Sequence, residues 1–158
     1  MEDLSDYLKL KDAAHQFYYK VGGIFSPALN NKIIFSAEGF NHIIFSDPRS
    51  ERERSSQILR FKLLPLAKKL IEKSTTYQEF EETVKDFIVK RHKKKIKESK
   101  VVQYWGIIAI VDTRKIKVII RRIGEGFFHF WSVIPAWTTN KYRDTKFFTT
   151  MKGCPEKD

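Results

Sequence analysis

The stretch KIKVIIRRIGEGFFHFWSVIPAW, residues 115–137, threads Lys117, Arg121, Arg122, His129 and Ser132 through two apolar runs around a Gly-Glu-Gly turn. These groups can hold a phosphate or move a proton. Histidine titrates near neutral pH, so it can take or give a proton. Lys and Arg stabilise the extra negative charge of a phosphoryl transition state. Side chains alternate along a strand. If Val118 and Ile120 join Phe128, Phe130 and Ile134 against helices, the outer face holds Lys117, Arg121, His129 and Trp131. A β-bulge near the turn brings Ser132 or Arg122 into that set. The chemistry that suits the group is metal-independent RNA cleavage, in which a 2′-hydroxyl loses a proton as it attacks phosphorus and the leaving 5′-oxygen gains one. Trp131 or Trp137 offers a stacking surface for an unpaired base. Taken singly, each residue reads as ordinary strand structure; their joint occurrence on a basic chain carries the expectation.

A second histidine, His42, lies in GFNHIIFSDPRSERER, just before an expected helix start and beside Arg49, Arg52 and Arg54. Neighbouring cations and a helix N-terminus favour its neutral form, as a general base requires. The acidic residues do not form a spaced set for Mg²⁺. GxxxxGK[ST], GxGxxG and HExxH are absent from the sequence, so no cofactor or metal is expected. The single cysteine, Cys154, allows neither an internal disulfide nor a cysteine-based zinc site.

The elements that must position these groups read as α+β, with N-terminal helices packed on a C-terminal antiparallel meander. Residues 3–23 suggest a short helix stopping at Gly22-Gly23, and KIIFS a short strand. Ser46-Asp47-Pro48 reads as a helix start. The apolar spacing from Ile58 to Ile71 continues that helix, with a kink or break at Pro65. Thr76 to Glu79 has capping-box spacing and opens a further helix bearing Phe80, Val84, Phe87 and Ile88. VVQYWGIIAIV, IKVIIRRI and FFHFWSVIP then read as three strands joined by tight turns, and NKYRDTKFFTTM adds a turn and a short strand.

At 158 residues the chain suits one domain, with 1–30 an N-terminal extension, 32–137 the core and 138–158 a C-terminal segment. Thirty Lys and Arg against nineteen Asp and Glu give a formal +11, which favours polyanions, nucleic acid first. The run KRHKKKIKESK, residues 90–100, reads as a solvated helix end or hairpin adding general polyanion affinity. No apolar run approaches the roughly 20 residues that span a bilayer. The polar, acidic N-terminus is unlike a signal peptide, and the expected location is cytoplasmic.

GFNHIIF with its Arg-rich continuation, then ILRFKLLPLAKKLIEKS, then KIKVIIRRIGEGFFHFWSVIP resembles the phage-type branch of the barnase–EndoU–colicin–RelE-like nucleases over residues 32–137. The resemblance implies metal-independent, toxin-like ribonuclease activity and helices on an antiparallel sheet. It implies a histidine ahead of the helix, here His42; basic residues in that helix, here Arg49, Arg54 or Arg60; a Lys/Arg strand, here Lys117 and Arg121; and a Ser-bearing strand, here Ser132. His129 is additional to that pattern. The combined expectation is an endoribonuclease with His42 as base and His129 as acid. Arg121, Lys117 and Arg49 would clamp phosphate, and Ser132 would bind phosphate or fix an imidazole. RNA would be the substrate and an acidic antitoxin or immunity protein the partner. The alternatives are a non-catalytic nucleic-acid-binding module and a protein-interaction domain docking through WSVIPAWTTNKY.

Overall fold

A computed structural model of the chain describes residues 4–139, 146–148, 156 and 158, with the backbone alone for 137–139 and 146–148. Helix α1 (Leu4–Val21) forms because Tyr7, Leu10, Ala14, Phe17, Tyr18 and Val21 recur at helical spacing, and it stops where Gly22 takes φ +64°. Strands β1 (Gly23–Ser26) and β2 (Asn31–Ile34) follow as an antiparallel pair. Helix α2 (Ala37–Ile44) leads into a small ribbon of β3 (Phe45–Asp47) and β4 (Ser50–Glu51), then into α3 (Arg54–Lys73).

The second half is β5 (Glu79–Arg91), β6 (Lys94–Val111), β7 (Arg114–Ile123) and β8 (Phe128–Pro135), each antiparallel to the next. The two-residue turns His92-Lys93 and Asp112-Thr113 have positive φ at both positions, a geometry that matches the twist of the strands they join. Strand β2 adds to β8 in parallel, giving the order β1-β2-β8-β7-β6-β5. A separate ribbon pairs β9 (Trp137–Thr139) with β10 (Lys146–Phe148). The architecture is α+β, and its sheet is mostly antiparallel with one parallel junction. Among the described residues, no helix is long and apolar enough to cross a membrane.

One face of the sheet, with Ile107, Val118, Ile120, Phe130 and Val133, packs against α1, α2 and α3 in the main core. Residues 4–21, read from sequence as an extension, contribute Tyr7, Ala14 and Tyr18 to that core. On the opposite face Val102, Tyr104 and Ile119 form a smaller cluster against which Trp131 packs. The β7–β8 register decides who shares this second face. Ile119 pairs with Ser132 and Ile120 with Phe130, so Trp131 is an extra residue, a β-bulge. The bulge places Ser132 with Lys117, Ile119 and Arg121, and sends Val133 rather than Ile134 into the main core.

Two expected helices are corrected. Ser46-Asp47-Pro48 starts no helix; Asp47 instead accepts the Arg49 N–H at 2.9 Å to close the β3–β4 turn, and α3 starts at Arg54. Asp-Pro serves a tight turn as well as a helix start, and pairing Phe45 with Glu51 selects the turn. Residues 79–91 are strand rather than helix, because β6 pairs with them along their whole length and half-buried Thr83, Lys85, Phe87 and Val89 alternate with exposed Val84, Asp86 and Ile88. Pro65 lies inside α3, which continues through it as one element.

Helix α2 lies very close to β8. A Cβ added at Gly39 would overlap the Phe130 carbonyl oxygen and stand 2.5 Å from the Tyr18 hydroxyl. Gly39→Ala is therefore expected to destabilise the fold by about 1–3 kcal/mol through overpacking, read as a lower Tm by circular dichroism. An unchanged Tm would mean that α2 does not need this approach.

Candidate functional site

The β3–β4 turn and the first turn of α3 are tied together by buried Gln57, which donates to the Arg52 carbonyl at 2.6 Å and to Glu51 at 3.2 Å and accepts from the Tyr7 hydroxyl. This fixes Arg52 beside α2. Its Nε donates to the His42 carbonyl at 2.9 Å, and its Nη2 lies 3.1 Å from His42 Nε2. A guanidinium has only donors, so His42 Nε2 is the acceptor and its proton sits on Nδ1. His42 is 4% exposed. Burial, reinforced by Arg52, Arg60 and Arg121, pushes its pKa down to about 3. The sequence places His42 ahead of a helix; in fact it occupies the last turn of α2, and burial rather than a helix N-terminus is the first cause of its neutrality.

The imidazole stacks on Trp131 with ring centroids 4.0 Å apart and planes 14° from parallel. The Arg121 guanidinium lies over the same indole at 3.6 Å. Two planar groups cannot share one face at those distances, so the indole is sandwiched between them. Trp131 therefore presents an edge, not a free face, and the expected base-stacking surface is already filled. Arg121 is held from the other side by Glu38 at 2.6 Å. These groups, with Asp47 and Lys85, line an open cleft of about 420 Å³.

Beside the cleft a set of cations and a hydroxyl converges on Asp158. Arg60, 8% exposed on α3, donates through Nη1 to Ser132 Oγ at 2.6 Å and to the Asp158 main-chain oxygen. Ser132 Oγ donates to the same oxygen at 2.5 Å, and Arg52 Nη2 reaches it at 3.5 Å. Lys117, fully buried, contacts the Asp158 carboxylate at 3.3 Å and Glu79 at 3.0 Å. Gly106 makes room for this crossing, since a Cβ there would stand 3.1 Å from Glu79 Cβ and 3.4 Å from Lys117 Cε. Glu156 pairs with Lys85 and its carbonyl accepts from Trp131 Nε1 at 3.2 Å. Burial and the adjacent Arg52 lower the Arg60 pKa to about 9, partly offset by Asp158. Arg52 is likewise lowered, first by burial.

Of the residues singled out in the sequence, Arg60, Lys117 and Ser132 meet around Asp158, with His42 joined to them through Arg52. Trp131 and Arg121 line the neighbouring cleft. His129 stands across from Arg121 on β8, and its Nδ1 is buried without a hydrogen-bond partner among the described residues. Its pKa is lowered by burial and by Arg121 against an opposing effect of Glu38. It does not line the cleft, so it is not brought together with His42. Arg49 sits on the exposed β3–β4 turn and Arg54 lies over the Tyr7 ring at 4.9 Å. The Trp137 side chain and Cys154 fall outside the described residues.

The sequence pattern presents Arg52 only as a neighbour of His42 and Glu79 only as part of a helix-capping box, and it gives Gln57 and Asp158 no role. Local spacing has no signal for them, because their partners come from β4, α3, β5 and the far end of the chain. No protein-family model, curated protein or solved structure matches this chain.

Proposed function

We propose that the protein is a metal-independent endoribonuclease whose scissile phosphate sits where the Asp158 oxygens now lie. The observation that carries the reading is the convergence of Arg52, Arg60, Ser132 and Lys117 on those oxygens. Two guanidiniums and a hydroxyl on one oxygen, with an ammonium on the carboxylate of the same residue, suit the non-bridging oxygens of a phosphodiester as its negative charge grows. RNA entering the hollow must displace Asp158. Drawn onto the phosphate, Arg52 would uncover His42 Nε2, a lone pair facing the site. His42 then takes the 2′-hydroxyl proton as the O2′–P bond forms. As the P–O5′ bond breaks, the 5′-oxygen takes a proton from a water molecule while Arg60 stays on the non-bridging oxygens. The products are a 2′,3′-cyclic phosphate and a 5′-hydroxyl. A toxin of this type would be silenced by an acidic partner covering the hollow, and the +11 charge complements one.

The test is incubation with structured and unstructured RNA in EDTA, followed by analysis of the ends. Cyclic-phosphate and 5′-hydroxyl ends are expected. Intact RNA across the panel, or cutting that stops with EDTA, would overturn the reading. A second reading, a non-catalytic RNA-binding module, is favoured by one observation: His42 at a pKa of about 3 is a weak base until its surroundings change. Phosphate-dependent RNA binding without cutting would select it.

A further inference from the structure

Strand β6 pairs with β7 only from Val102 to Val111, so residues 94–101 are held by β5 alone. Residues 84–101 thus form a two-stranded arm that leaves the sheet and extends roughly 27 Å to the His92-Lys93 turn at strand rise. The arm holds eight Lys or Arg against two Asp or Glu, +6 of the chain's formal +11. Its two carboxylates are committed within it, Asp86 to Lys97 at 3.1 Å and Glu98 to Arg91 at 3.2 Å. Lys90, Lys93, Lys94, Lys95 and Lys100 show no ion pair among the described residues.

The register arranges this charge in relation to the site. Lys85 opposite Lys100 and Arg91 opposite Lys94 share one face of the arm, separated by the pairs Phe87–Glu98 and Val89–Ile96, while Lys90, Lys95 and Lys97 lie on the other face. Lys85 and Phe87 also line the cleft beside His42 and Trp131. That face therefore carries a track with cations at its two ends, Lys85 and Lys100 beside the cleft and Arg91 and Lys94 near the tip, and the turn residue Lys93 stands beyond them. From Ile88 to Lys100 the arm contains no Phe, Tyr or Trp. With Phe87 at its base and His92 at its turn as its aromatic rings, the arm between them has the means to follow phosphates but not to grip bases.

We infer that the β5–β6 arm is a second RNA-binding surface, which holds the sugar–phosphate backbone of the strand leaving the cleft without reading its sequence. This rests on the endoribonuclease reading for the identity of the polyanion, while the geometry of the track stands apart from cleavage. It gives the site a substrate class, an RNA long enough to reach from hollow to tip rather than a mono- or dinucleotide.

The experiment uses 2′-O-methyl RNA, which lacks the attacking hydroxyl and so reports binding alone, at about 20 nucleotides and at two. The variant changes Lys93, Lys94 and Lys100 to Gln, all exposed or half-exposed. For the long RNA the affinity is expected to fall at least about tenfold at 0.1 M salt. The slope of log K against log salt should fall by about 2, near 0.7 for each lost phosphate contact. Affinity for the two-nucleotide probe should stay the same. Equal binding of the long RNA by parent and variant overturns the inference, as does an equal loss for both lengths. The opposite face of the arm exposes Val84 at 65% and Ile88 at 75%. A dimer abolished by Val84→Asp and Ile88→Asp, with long-RNA binding indifferent to the lysines, would overturn it in favour of a second copy. Arm-dependent binding by a protein that leaves ordinary RNA uncut would support the arm and remove only the nuclease reading.

Discussion

Replacing Arg60 with methionine is expected to lower RNA cleavage by about 10²–10⁴-fold while leaving the Tm equal to or above that of the parent. The two halves of this outcome have one cause. Arg60 is buried beside a second guanidinium, Arg52, and both burial and that neighbour oppose its charge. Only an anion in the hollow compensates, whether Asp158 or a phosphate. Methionine matches the length of the stem and removes the buried charge, and Asp158 keeps Arg52 and Lys117, so burial is relieved while the clamp is lost. Ser132 keeps Asp158 as a partner. Cleavage assays and thermal melts on the same preparation check the pair. A Tm lower by more than about 5 °C would make Arg60 a structural tie between α3 and β8. Full activity would remove it from the phosphate site.

The second large effect is on stability against pH. His42 has a folded pKa near 3 and an ordinary unfolded value of 6.5. As pH falls below 6.5 the unfolded chain binds a proton that the folded protein refuses. Stability is therefore complete above that pH and declines through the window from 6.5 toward 3, at up to about 1.4 kcal/mol per pH unit. Between pH 6.5 and 4.5 the contribution of His42 is about 2 kcal/mol or somewhat more. His42→Gln keeps an acceptor for Arg52 but cannot titrate, so urea unfolding of this variant should change less over the same range. His129 is shifted in the same direction and leaves a smaller residual slope. A variant as pH-sensitive as the parent would show that His42 is protonated in the fold, and with it that Arg52 does not hold Nε2.

Much of the fold is legible in the chain because its signals are local. The tight turns at Asp112-Thr113 and Gly124, the alternation in residues 115–134 and the helical spacing from Ile58 to Ile71 act within a few residues of one another. Where a local signal serves two structures, distant partners choose. Residues 79–91 satisfy a helical spacing of apolar groups and a strand alternation at once, and pairing with β6 decides for the strand. Asp47-Pro48 suits a helix start or a turn, and the β3–β4 pairing decides for the turn.

The amino-acid sequence by itself determined the +11 charge, the three C-terminal strands and the presence of His42, Arg60, Lys117 and Ser132 among groups fit for phosphate chemistry. Only the tertiary structure decided which of them meet. The extra residue at Trp131 turns Ser132 toward Lys117, Arg60 reaches that serine from α3, and Trp131 is enclosed by His42 and Arg121. Composition and periodicity report what a residue is and which way its own strand or helix turns it. The distance between two side chains far apart in the chain depends on how whole elements pack, and that becomes defined only once the sheet and helices close on a shared core.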